Sequence, residues 1–230
     1  MKKPVTIVFM VLAFTVTAFA KEPQFEKATN VLNEIMEAPD RGIPHDLLAK
    51  AVCAGIVPSE SKGAFVFGGT YGRGVLVCRR HGNGPWGAPS KFTMGGGSFG
   101  FQIGGEATDV VFLVMNNAGA RKFIQDDVKL GADASVTAGP VGRTAEAATD
   151  AQLHAEILSY SRTRGLFAGV SLAGAVVKQD RGQNSRLYGR DISAEMILFD
   201  GVRVPAQAEA LHAALERYSP RGGRPYASLR

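Results

Sequence analysis

The distribution of glycine constrains the fold of this chain more than any other feature. Half of the 28 glycines lie between Gly63 and Gly105, among short β-forming runs such as residues 64–67 and 75–77. Glycine inside strands marks bulges, tight bends and close approaches of neighbouring backbones. A strongly curved sheet needs such positions, whereas a flat sheet does not. The sequence therefore predicts a curved, glycine-rich antiparallel sheet of the half-barrel type.

Helical patterns flank this sheet on both sides. Apolar residues recur every three or four positions in residues 24–36 and again in residues 206–218. In the second segment, Ala210, Leu211, Ala214 and Leu215 are predicted to face inward. Further predicted elements are a short helix at 44–53, strands at 92–94 and 109–115, a helix at 118–124, a strand at 128–138, a hairpin from 155–162 and 165–177, and an irregular or briefly helical segment at 180–188. The chain is predicted to be one α+β domain over residues 21–219, with N-terminal and C-terminal helices and a loose basic tail at 220–230.

The first twenty residues are typical of a secretory signal peptide. Lys2 and Lys3 precede an apolar run over residues 5–17, and Ala18-Phe19-Ala20 supplies the small-x-small pattern of a cleavage site. The run is shorter than the roughly 20 residues that a membrane-spanning helix needs, so a membrane anchor is the less favoured alternative. We expect cleavage after Ala20 and a periplasmic or secreted protein.

Composition excludes several classes of protein. The chain is 45% hydrophobic and 20% charged, which excludes global disorder. Its net charge of +5 is too small for a dedicated nucleic-acid binder. Two cysteines exclude a four-cysteine zinc site. Cys53 and Cys78 could form a disulfide in an oxidising compartment or be two buried thiols, and the sequence leaves both alternatives open.

Two motif matches lack the structural context that their chemistry needs. Gly95, Gly97 and Gly100 fit the dinucleotide-binding pattern, but a strand follows them where that site requires a helix N-terminus. Ser98 also fits a serine-hydrolase elbow, with Asp150 and His154 downstream, and the same missing helix counts against it. The other histidines are scattered, which does not indicate a metal site. No catalytic residue, metal or cofactor is predicted.

A series of short strings in a fixed order carries a resemblance to a known family. The strings are residues 62–69 (KGAFVFGG), 71–76 (YGRGVL), Trp86, 89–90 (PS), 97–100 (GSFG), 102–104 (QIG), 108–111 (TDVV), 131–135 (GADAS), 139–143 (GPVGR), 159–162 (SYSR), 165–170 (GLFAGV) and 188–189 (YG). Over about residues 28–215 the chain resembles the SYLF family of lipid-binding domains. The resemblance implies a non-enzymatic α+β domain that binds membrane lipid. Eukaryotic members recognise phosphoinositides and some bind actin, but secreted bacterial members are the nearer comparison.

The N-terminal helix departs from the basic, membrane-binding helix of eukaryotic members. Residues 24–36 offer only Lys27 against Glu26 and Glu34, with Glu37 adjacent. An acidic helix is repelled by anionic headgroups at a cost of about 1 kcal/mol per charge. We therefore expect this helix to pack on the sheet.

If lipid is bound, other cations must hold the headgroup phosphate, because guanidinium and ammonium groups bind phosphate well. The candidates are Arg162, Arg164, Arg143, Arg73, Arg79, Arg80 and Lys91. Arg162 and Arg164 rank first, since strand alternation would place both on one face. Phenylalanines could line an acyl groove or belong to the core; they are Phe65, Phe67, Phe99, Phe101, Phe112 and Phe167.

The sequence thus predicts a secreted, membrane-associated protein of the cell envelope that binds anionic phospholipid or phosphoinositide-like headgroups. The alternatives are a protein-interaction module with an envelope partner and a small serine hydrolase that uses Ser98.

Overall fold

The computed structural model describes residues 22–38, 41–59, 70–96, 108–125, 127–142, 152, 154–163 and 166–220. The helices are α1 (Pro23–Glu37), α2 (His45–Lys50), α3 (Asn117–Lys122), α4 (Arg181–Tyr188), α5 (Ala194–Phe199) and α6 (Glu209–Tyr218). The strands are β1 (Cys53–Val57), β2 (Thr70–Arg79), β3 (Trp86–Gly96), β4 (Asp109–Val114), β5 (Asp127–Lys129), β6 (Val136–Ala138), β7 (Ile157–Thr163), β8 (Leu166–Gly169) and β9 (Val176–Gln179). The predicted signal peptide, the strings at 62–69 and 97–104, Ser98, Arg143, Arg164 and residues 221–230 lie outside the described residues.

These strands form one curled sheet, which confirms the predicted α+β half-barrel. The strand order is β5–β9–β3–β2–β1–β4–β7–β6, and β8 also pairs with β7. All pairs among the described strands are antiparallel except β6 with β7. The parallel pair departs from the prediction because a long connection, rather than a tight turn, joins these two strands.

The central strands are buried on both faces, which explains their nearly continuous apolar sequences. In β4, Val111 and Leu113 pack against α1, α2 and α6 on the outside of the curl. Phe112 and Val114 alternate with them and face the inside. Strands β5 and β9 with helices α3 and α5 contribute to the inner core. The sheet therefore separates two apolar cores.

The helix predicted at 44–53 ends earlier, at Lys50, because Cys53 begins β1. All five residues of β1 are buried, and both neighbours β2 and β4 pair with it along its length.

The strand predicted at 128–138 is two strands, β5 and β6. Gly131, with a φ of +87°, reverses the chain between them, and its N–H bonds the carbonyl of Ala134. Residues with this φ are usually glycine.

Other differences concern the C-terminal half. The second arm of the predicted hairpin is divided into β8 and β9. Helix α5 was not predicted, although Ser193 caps it by accepting a hydrogen bond from Met196 N–H. The closing helix is confirmed as a 3₁₀ turn over Ala206–Ala208 followed by α6. Leu211 and Leu215 are buried as expected, but Ala210 is exposed because it lies outside the stripe that faces the sheet.

Candidate functional site

The structure places Arg79, Arg80 and Arg162 of the predicted headgroup set in separate settings and brings Arg73 and Lys91 to one pocket. Arg79 is almost completely buried at the end of β2. It donates hydrogen bonds to the carbonyl oxygens of Ala51 (3.1 Å), Gly84 (3.1 Å) and Ser219 (3.1 Å), and it stacks 4.1 Å from the ring centroid of Trp86. These contacts join the end of α6 to the sheet. Arg79 is therefore a structural residue.

Its neighbour Arg80 begins the 3₁₀ turn between β2 and β3. The Nε of Arg80 is buried and forms no hydrogen bond with the described residues.

Burial lowers the pKa of Arg79, and the Glu216 carboxylate opposes that effect. An arginine stays protonated even so, because its ordinary pKa is far above neutrality.

Arg162, ranked first from the sequence, is held between two carboxylates. Its guanidinium pairs with Glu34 of α1 and lies 3.3 Å from Asp109 of β4. Asp109 also accepts a hydrogen bond of 2.7 Å from the backbone N–H of Ser59. The guanidinium lies 5.8 Å from the ring centroid of Phe167, which is buried. Neither acid is adjacent to Arg162 in sequence, so strand alternation alone could not reveal this neutralisation.

Lys91 of β3 is 3% exposed and forms an ion pair with Glu22, the N-cap residue of α1. Its Nζ lies 2.7 and 2.6 Å from the two carboxylate oxygens of Glu22, and 5.5 Å from the ring centroid of Phe25. Asn184 of α4 accepts a hydrogen bond from Lys91 N–H (2.7 Å) and donates one to its carbonyl (3.1 Å). Sequence reasoning missed Glu22 and Asn184, which lie far from Lys91 along the chain.

Arg73 and Lys91 line one pocket of about 220 Å³ at the first turn of α1. Glu22, Gln24, Lys27 and Gln183 also line this pocket, which we call the α1 pocket. Lys27 and Arg73 are exposed, whereas Lys91 is buried. Gln24 is fixed by a hydrogen bond of 3.3 Å from its Nε2 to the carbonyl of Gly74. The fold thus brings two of the predicted headgroup cations, Arg73 and Lys91, to a common cavity.

The structure contains a disulfide between Cys53 and Cys78, one of the two alternatives that the sequence left open. The two residues are direct partners on β1 and β2. Both side chains are fully buried in the inner core. Phe112 is buried in the same core, and Phe167 is buried in the core on the other face of the sheet. The two described phenylalanines that could have lined an acyl groove are therefore core residues.

No group of three or more metal-ligating side chains that could hold an ion occurs in the described part of the chain. Within the same residues, no helix is long and apolar enough to cross a membrane. Of the suggested hydrolase residues, the structure describes His154, which is exposed.

Comparison with known proteins decides the family. The profile of the family described as "Ysc84: Las17-binding protein actin regulator" matches residues 95–218, more than half of the chain. The chain belongs to the Ysc84 family. This result confirms the resemblance to SYLF domains.

Curated relatives of the Ysc84 family include fungal and mammalian proteins. LAS seventeen-binding protein 3 of Saccharomyces cerevisiae is 37% identical over 198 residues, which cover 83% of this chain and 42% of the relative. SH3 domain-containing YSC84-like protein 1 is 34% identical in Rattus norvegicus, over 86% of this chain and 61% of the relative. The human protein of that name is also 34% identical, over 84% and 58%. The chain thus spans about two fifths to three fifths of these relatives, and their eukaryotic origin gives no support to the comparison with secreted bacterial members.

Proposed function

We propose that this chain is a non-enzymatic domain that binds a protein partner. The observation that carries the proposal is the match of residues 95–218 to a family described as Las17-binding actin regulators. The yeast relative is likewise named for binding another protein. A partner-binding role needs no catalytic group, which agrees with the structural use of the charged residues described above.

The internal ion pairs favour a protein partner over an anionic membrane surface. Arg79 and Arg162 have multiple contacts within the domain, so neither contributes a free positive charge to a surface. Helix α1 exposes Glu26 and Glu37, and its exposed Glu34 neutralises Arg162. Acidic groups on this helix oppose adsorption to anionic headgroups.

Direct binding measurements test this proposal. Purified Las17 and filamentous actin serve as protein probes, and vesicles of phosphatidylcholine with phosphatidylserine serve as the lipid probe. We expect saturable binding to Las17 or to filamentous actin in the absence of vesicles. Binding to the vesicles with no binding to either protein would contradict the proposal.

Binding of anionic phospholipid or phosphoinositide-like headgroups is a second candidate function. It is supported by the positions of Arg73 and Lys91 at the α1 pocket. Vesicle sedimentation at low salt tests it, with Arg73→Ala as the variant and Lys129→Ala as the control, because Lys129 is exposed on β5 away from the pocket. Equal sedimentation of both variants and the parent protein would exclude a headgroup site at Arg73.

We also propose that the chain folds in an oxidising compartment, the periplasm or the cell exterior. The Cys53–Cys78 disulfide supports this, because disulfides persist in such compartments and are rare in the cytosol. When cells are lysed in the presence of an alkylating reagent, mass spectrometry should find neither cysteine alkylated unless a reductant is added first. Alkylation of both thiols before reduction would contradict this localisation.

A further inference from the structure

A segment of four residues covers the buried hydroxyl group of Tyr160. The segment is Gly139-Pro140-Val141-Gly142, which follows β6 and which we call the strap. Its first residue lies directly on the aromatic ring, because a β-carbon on Gly139 would overlap both the ring and the hydroxyl oxygen of Tyr160. Tyr160 is completely buried in the core on the outer side of the sheet, and Val141 packs partly against that core. The strap therefore lies between this hydroxyl and solvent.

The closed strap leaves the Tyr160 hydroxyl unpaired. The hydroxyl forms no hydrogen bond with the described residues, although its oxygen is inaccessible to solvent. A buried hydroxyl without a partner is unfavourable because it has lost its hydrogen bonds to water. If the strap lifts, water reaches the hydroxyl and this cost is removed. The hydroxyl thus favours the open strap, whereas apolar contacts and backbone hydrogen bonds favour the closed one.

The backbone of the strap is held in the closed position at both ends. Gly139 N–H donates a hydrogen bond of 2.9 Å to the carbonyl of Ser159, and Gly142 N–H donates one of 3.1 Å to the carbonyl of Gly42. A β-carbon on Gly169 would collide with the backbone of Gly139, so the two chain segments are in close contact there. The closed state is therefore a specific arrangement with its own hydrogen bonds.

Gly142 provides a position at which the strap can turn. Its φ is +123°, a conformation that residues with a β-carbon rarely adopt. A β-carbon on Gly142 would meet no atom of the described residues within 4 Å. The backbone can therefore rotate at this residue without a steric clash on that side.

We propose that the strap is a lid that opens and closes over Tyr160, and that the unpaired hydroxyl lowers the free energy needed to open it. Local opening of this kind needs less free energy than unfolding of the whole domain. Opening uncovers the hydroxyl together with the apolar surface beneath Val141, so the lid controls access to a surface that the closed state hides. This inference goes beyond the proposed function, because it does not depend on which partner the domain binds.

Amide hydrogen exchange of the isotope-labelled protein, followed by NMR, tests the inference. The amides of Gly139 and Gly142 report on the strap, and the amide of Leu113 in the central strand β4 reports on unfolding of the domain. We expect protection factors for the two glycines that are about tenfold or more below that of Leu113 and that low urea concentrations do not change. Equal protection of all three amides would overturn the inference, since the strap would then open only when the domain unfolds.

Tyr160→Phe tests the role of the hydroxyl, because it removes that group and keeps the ring. The protection factors of Gly139 and Gly142 should rise about tenfold, which is the effect expected when a buried unpaired hydroxyl is removed. Unchanged or lower protection of the two glycines would show that the hydroxyl does not oppose closing, and would overturn that part of the inference.

Gly142→Ala tests the lid independently of Tyr160. Alanine disfavours the positive φ of the closed strap, so the protection factor of Gly139 should fall about fivefold. Gly189→Ala is the matched control, because Gly189 also has a positive φ and open space around it but lies at the end of α4. It should leave the protection of Gly139 unchanged, and urea unfolding checks that both variants are folded. Equal protection of Gly139 in the two variants would overturn the assignment of the strap as a lid.

Discussion

The ring of Phe112 lies directly over Gly55, its partner on the neighbouring strand. A β-carbon on Gly55 would lie 2.1 Å from Cζ of that ring. Phe112 in turn lies 5.7 Å from Phe92 in an edge arrangement and 5.5 Å from Phe123 in a stacked one, between ring centroids. Phe92 covers Gly74 in the same way, again across a direct strand pair. The aromatic rings of the inner core therefore occupy the space that these strand glycines leave open.

Gly55→Ala should destabilise the domain, because the added methyl group would overlap the Phe112 ring and force the sheet to move. The expected loss is about 1–3 kcal/mol of unfolding free energy, measured by urea denaturation. Gly182→Ala is the matched control, since a β-carbon there has no neighbour closer than 3.8 Å within helix α4. Because Gly182 is the second residue of α4, alanine there should leave stability unchanged or raise it slightly. Equal losses in both variants would contradict this explanation.

Removal of two tyrosine hydroxyls should have opposite consequences. The Tyr160 hydroxyl is buried without a hydrogen-bond partner among the described residues, and burial raises its pKa. Tyr160→Phe should therefore leave stability unchanged or raise it. The Tyr188 hydroxyl donates a hydrogen bond of 2.6 Å to the carbonyl of Pro89, so Tyr188→Phe should cost about 1–2 kcal/mol. A larger loss in Tyr160→Phe than in Tyr188→Phe would show that Tyr160 has a polar role.

Loss of the disulfide should weaken the fold. Cys53 and Cys78 are 25 positions apart, and a cross-link of that span restricts the unfolded chain. Replacement of both by alanine should lower the unfolding free energy by about 3–4 kcal/mol. Denaturation of the parent protein with and without dithiothreitol provides the check. If reductant has no effect on the parent midpoint while free thiols are detected, the cross-link does not stabilise the domain.

His45 should make stability depend on pH. Burial lowers the pKa of His45 below its ordinary value of 6.5, although a backbone hydrogen bond to Tyr218 and the nearby Asp46 act in the opposite direction. The unfolded chain therefore takes up a proton more readily than the folded one, and the contribution of His45 is complete above pH 6.5 and lost as the pH falls through the folded-state pKa. Unfolding free energies between pH 5.5 and 8 should decrease toward acid, and His45→Gln should flatten the curve. An unchanged slope in His45→Gln would assign the effect to another group.

Glu156 adds a separate effect at lower pH. Burial alone would raise its pKa, but hydrogen bonds with Lys122 and Ser135 hold the pKa below 4.5. Its contribution to stability is therefore lost only as the pH falls below 4.5. The two contributions are separated by comparing His45→Gln with Glu156→Gln over the same pH range.

Strong local patterns predicted several elements well. Helix α1 was expected at 24–36 and spans Pro23–Glu37, because its apolar stripe matches the helical period. Strand β4 was expected at 109–115 and spans Asp109–Val114, since a strand buried on both faces has a continuous apolar sequence. In contrast, β3 was expected only at 92–94 but extends over Trp86–Gly96. Pro89 and Lys91 obscure it locally, and pairing with the long β2 determines its true length.

By itself, the sequence determined the secondary-structure periods, the glycine positions that permit a curled sheet and membership in the family. Only the tertiary structure decided which cations are available for binding. Arg79 contacts Ser219, and Arg162 contacts Glu34 and Asp109. These partners are distant in sequence, and the energy of a charge depends on the opposite charges and burial that folding brings to it. A list of arginines and lysines cannot contain that information.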